Sequence, residues 1–124
     1  MPPSPELMAE IRNQLQDDIL SFEWLAQIAR LEFPRQSERE NVAAVMEAVT
    51  RLHEQGLIMV GEAKVVDEIC MIEPWPESGQ ALCDRLETVT AAWPGPAAAM
   101  ELETAEAEQL RFCFWIQWKK HADR

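Results

Sequence analysis

Leu7, Met8, Ile11 and Leu15 stand three or four residues apart, with Glu10, Arg12, Asn13 and Gln16 on the other side, which is the spacing of a helix with one buried stripe. Ser4 and Pro5 supply an N-cap and a proline at the first helical position, so the helix is expected to begin at Pro5. Asp17 and Asp18 interrupt the pattern, and one of them could cap a second helix that starts near Ile19 or Ser21 and carries Phe22, Leu25, Ile28 and Ala29. Phe33 precedes Pro34 and is therefore disfavoured in helical geometry, so residues 32–36 are expected to turn.

The clearest signal runs from Ser37 to Glu62. Ser37 and Glu40 form a capping box, and Val42, Val45, Met46, Val49 and Leu52 make one apolar stripe. Gly56 provides the left-handed residue that ends such a helix. Leu57, Ile58, Met59 and Val60 then read as a short strand closed by Gly61. A second apolar run, Ile69, Cys70, Met71 and Ile72, follows a polar stretch longer than the two-residue hairpin connection, so the spacing predicts a hairpin with a projecting loop. Pro74 and Pro76 bracket Trp75 and end it.

Glu77 to Trp93 repeats the helical spacing through Leu82, Leu86 and Val89, and Pro94, Gly95 and Pro96 stop it. In the tail, Leu110, Phe112, Phe114, Ile116 and Trp118 alternate with other residues, which favours a strand completing a small antiparallel sheet with the hairpin. A helix from Thr104 to His121 is the alternative reading. The fold class expected is α+β, in one domain over residues 1–124.

At 124 residues with 48% apolar content the chain can build a core. Charge narrows its partners. Twenty-two acidic against eleven basic residues give a formal charge of -11, which repels phosphate backbones and attracts basic protein surfaces. Solubility alone would also explain an acidic excess. Cys70, Cys83 and Cys113 are widely spaced and odd in number, so reduced core cysteines are expected in place of a disulfide framework or zinc site. The N-terminal segment lacks the pattern of a secretory signal, and no apolar run reaches the ~20 residues needed to span a bilayer, so a cytoplasmic protein without membrane contact is expected.

Three helices followed by a two-stranded hairpin resemble a winged helix over residues 5–73, with residues 74–124 as a helix-and-strand extension. The phrase LHEQGLIMVGE, residues 52–62, is similar to the segment by which many winged-helix regulators lead into the wing. The PW element at Pro74 and Trp75, followed by a helix and a tryptophan-containing tail, resembles small uncharacterised bacterial winged-helix proteins. In that family the third helix reads the DNA major groove. Here that helix would carry Glu38, Glu40, Glu47 and Glu54 against Arg39 and Arg51, and the wing Glu62, Asp67 and Glu68 against Lys64. Nucleic acid is thus a disfavoured partner, although Arg30, Arg35 and Arg39 could make a few phosphate contacts.

Catalytic patterns do not emerge. His53 near a helix end and His121 near the chain end are better read as surface contacts, and the sequence holds no HExxH, glycine-rich phosphate loop or GxSxG. No cofactor and no enzymatic activity are expected. The paired acids Asp17–Asp18 and Asp67–Glu68 fit solvated turns better than metal loops. Among the five tryptophans, Trp24 and Trp93 are expected to pack, whereas Trp75 and Trp115 are candidate recognition residues, Trp115 because a strand would aim it away from Trp118.

The function these features suggest is a non-catalytic acidic module that binds a basic protein partner. A small acidic bacterial protein of this kind resembles an immunity protein that neutralises a basic toxin. The candidate contact residues are Glu38, Glu40, Glu47, Glu54, Glu62, Asp67, Glu68, Trp75 and Trp115. The alternatives are a winged-helix DNA-binding transcription regulator and a pure assembly module, for either of which a homodimer is compatible.

Overall fold

In a computed structural model of the chain, which describes residues 5–16, 19–91 and 113–119, helix α1 (Pro5–Leu15) fully buries Leu7, Ile11 and Leu15. Each contributes about 2 kcal/mol by leaving water. Strand β1 is two residues long, Leu20–Ser21, and leads directly into α2 (Phe22–Glu32). The cap of α2 falls on Ser21, whose hydroxyl accepts from the Trp24 N–H at 3.2 Å; Asp17 and Asp18 lie outside the described residues. α2 buries Phe22, Leu25, Ala26, Ile28 and Ala29, and it ends where the Phe33 N–H donates to the Ala29 carbonyl at 2.8 Å.

Helix α3 (Glu38–Glu54) carries the expected capping box in both directions: the Glu40 N–H donates to Ser37 Oγ at 3.2 Å and the Ser37 N–H to Glu40 Oε1 at 3.1 Å. Gly56, at φ 73°, ends it. Its buried face includes Val45, Met46, Val49 and Leu52 as expected, but is centred to take in Asn41 and Ala48, leaving Val42 partly buried. Among the described residues Asn41 Oδ1 has no hydrogen-bond partner although it is buried, an arrangement that costs about 1–3 kcal/mol.

Strand β2 (Ile58–Val66) does not stop at Gly61. It runs five residues further and pairs with β3 (Ile69–Pro74), from Gly61 opposite Pro74 to Val66 opposite Ile69. The expected long loop is therefore a two-residue turn, Asp67–Glu68, with φ of 52° and 68°. Gly61 is a strand residue at a place that only glycine fits, because a Cβ there would run into the Glu73 backbone carbonyl. Helix α4 (Gly79–Thr90) buries Leu82 and Leu86. It starts two residues later than the pattern predicts, and Trp93 lies outside the described residues.

The tail is a strand where it is described. β4 (Trp115–Trp118) pairs antiparallel with β2 on one side and β1 on the other, giving the sheet order β1-β4-β2-β3. The helical alternative fails over these residues; the rest of its span, residues 104–112 and 120–121, lies outside the described residues. Phe114 and Ile116 are fully buried against the helices, and Trp115 takes the opposite face, as the alternation requires. Four helices and a four-stranded antiparallel sheet among the described residues make the fold α+β.

Two stability effects follow. Gly61→Ala should cost about 3 kcal/mol, since backbone atoms and not a side-chain tip must give way; urea denaturation measures it, and a loss under 1 kcal/mol, roughly the cost of an ordinary strand substitution, would contradict the close approach. Replacing Asp67 by Asn and Glu68 by Gly should raise stability by about 1 kcal/mol, because these residues adopt the left-handed turn with less strain. A thermal melt that shows no gain would count against a strained turn.

Candidate acidic docking surface

Glu40, Glu47 and Glu54 are each exposed and recur every seven residues, close to two helical turns, so they form one row along α3. The row is tempered by its own chemistry. Glu40 spends one carboxylate oxygen on the capping box, and Glu54 lies 3.9 Å from Arg51 with both side chains half exposed, a pair worth at most about 1 kcal/mol. Glu38 is exposed on a different flank of the first turn, where its charge favours the positive end of the helix dipole.

Past Gly56 the chain enters β2, and the acids continue on the hairpin. Ile58 and Val60 are buried, whereas Glu62 and Lys64 on the same side of β2 are exposed, so this side of the strand leaves the core beyond Val60. Glu62 stands opposite Glu73 and Lys64 opposite Met71, whose side chain is 50% exposed. Like charges in direct register repel. Glu73 escaped the sequence reading because its significance comes from strand register, which the expected long loop concealed. Asp67 and Glu68 form the tip.

The two tryptophans proposed for recognition are placed differently. Trp75 packs on the core: its N–H donates to the Val60 carbonyl at 2.9 Å, its ring centroid lies 6.5 Å from that of Phe114, and the Arg85 guanidinium sits 4.0 Å above its face. Arg85 Nη1 also donates to Glu77 Oε1 and Oε2 at 2.8 and 2.9 Å. The Glu77 carboxyl is held below its ordinary range first by its own backbone N–H; burial opposes this, and the hydrogen bond and charge of Arg85 add to the lowering. This clamp fastens the PWPE turn to α4. Trp115, partly buried, lies on the outer face of the sheet beside Gly61. Trp24, expected to pack, is instead 50% exposed and donates its indole N–H to Gln14.

No protein-family model, curated protein or solved structure matches this chain. The chemistry of the surface therefore has to be read from its own residues. Among the described residues no group of His, Cys, Asp and Glu could hold a metal ion, and no helix is long and apolar enough to cross a membrane. Among the described residues Cys83 and Cys113 form no disulfide; both are partly buried, and burial pushes the Cys113 thiol up to about 12, far from a reactive thiolate. The side chain of Cys70 lies outside the described residues, as does His121.

His53 lies in the last turn of α3, partly buried. Burial first, and the nearby Lys119 second, hold its pKa below 6.5, with Glu54 opposing weakly. Since the folded pKa is the lower one, the unfolded chain takes up the proton first, and the stability present above pH 6.5 is lost as pH falls toward the folded value. Relative to His53→Gln, the native chain should thus lose stability on acidification through that window; parallel urea curves that keep a constant offset would refute the assignment.

Proposed function

We propose that this chain is a non-catalytic protein-binding module on a winged-helix-like scaffold, docking a basic protein partner through the acidic face of α3 and the hairpin. The observations that carry the reading are the exposed row of Glu40, Glu47 and Glu54 on α3 and, on the hairpin, the exposed Glu62, Glu73, Asp67 and Glu68. Support for the scaffold comes from three helices followed by a hairpin that carries exposed Glu62, Lys64, Asp67 and Glu68. An acidic surface of this kind steers a cationic partner and speeds its encounter. The resemblance to immunity-type proteins points to a basic toxin as the partner class.

A DNA-binding regulator is the second reading, favoured by Arg30 in the last turn of α2, Arg35 in the α2–α3 turn and Arg39 in the first turn of α3, all exposed. The two readings diverge under charge reversal. In a variant carrying Glu47→Lys, Glu54→Lys and Glu40→Gln, the glutamine preserves the capping box while the row loses its charge. Affinity for a stoichiometric basic partner purified from the native host should fall about 30-fold, equivalent to about 2 kcal/mol. An unchanged affinity, or the absence of any such partner, would overturn the docking reading, and tighter duplex binding by the variant would favour the regulator.

A further inference from the structure

The outer edge of the sheet is β3, and its hydrogen-bonding pattern follows from two independent anchors. A two-residue turn makes Val66 and Ile69 a hydrogen-bonded pair, and the Trp75 N–H to the Val60 carbonyl at 2.9 Å makes the pair beyond Pro74 another. Alternation between them leaves Cys70, Ile72 and Pro74 as the non-bonded positions. Their backbone groups point away from β2: the N–H and C=O of Cys70 and Ile72, and the C=O of Pro74. Pro74, which has no N–H, sits where β2 asks for none. Among the described residues nothing bonds to these outward groups.

We infer that β3 receives an extended, basic segment of the partner protein as an additional strand. This rests on the docking reading above and specifies how the partner engages. Charge selects the occupant. Glu73 and exposed Met71 share one side of β3, Glu62 and Lys64 lie behind them on β2, and Asp67 and Glu68 cap the end. A second copy of this chain would lay its own acidic β3 against these carboxylates and be repelled. A strand with a lysine or arginine near Glu73 and an apolar residue two positions away, near Met71, would meet both side chains and satisfy the outward backbone groups.

Peptides from a displayed random nonamer library, selected against the full chain at low ionic strength, test this directly. The selected peptides should alternate basic and apolar residues and lack proline. A synthetic representative should slow amide exchange at Cys70 and Ile72 by at least about tenfold. Backbone N-methylation of the peptide at alternate positions, or Cys70→Pro in the protein, should each weaken binding by about tenfold or more; the methylated peptide decides the matter if the proline variant misfolds. Basic peptides that bind but protect α3 amides and not β3 would overturn the strand inference and leave the docking reading intact. Failure to select any basic peptide would overturn both.

Discussion

The backbone of β4 and the buried Phe114 ring just before it hold this fold together. Ile116 of β4 lies between Leu20 of β1 and Val60 of β2, so one short strand joins the N-terminal segment to the hairpin. The Phe114 carbonyl accepts from the Phe22 N–H at 2.9 Å, fixing the start of α2, and the Phe114 ring lies 5.3 Å from that of Phe22. At the other end, the Lys119 N–H donates to the Leu57 carbonyl at 2.9 Å, where the chain leaves α3. Without β4, β2 and β3 would be an isolated two-stranded hairpin, which is marginal in water.

The acidic surface depends on that arrangement at one remove. β4 and the helices bury Ile58 and Val60, which anchors the base of β2, and the same strand then carries exposed Glu62 and leads to the turn acids. Burial at the base offsets the repulsion between Glu62 and Glu73 and the strain of the left-handed turn at Asp67–Glu68. A surface with these features is held in place by distant packing and gains nothing locally from its own charge. Such a surface suits a complementary partner.

The Trp75–Arg85–Glu77 clamp assigns a structural role to residues that sequence alone leaves ambiguous. A tryptophan between two prolines could equally face a partner or a core, and only the placement of Phe114 and α4 decides it. Trp24 illustrates the converse. Its place in an apolar helix predicts burial, yet α1 lies so that the ring is left half exposed beside Gln14.

Local chemistry was sufficient for the four helices, the capping box at Ser37 and Glu40, the stop at Gly56, the strand character of the tail and the glutamate row on α3. Each depends on side chains a few residues apart acting on one backbone segment, so helical or strand periodicity exposes it. The length of β2, the role of Gly61, the opposition of Glu62 and Glu73, the two-residue β1 and the outward edge of β3 came from tertiary structure alone. These are set by which strands lie side by side and in what register, and a shift of one residue would turn every side chain to the other face without changing the local pattern.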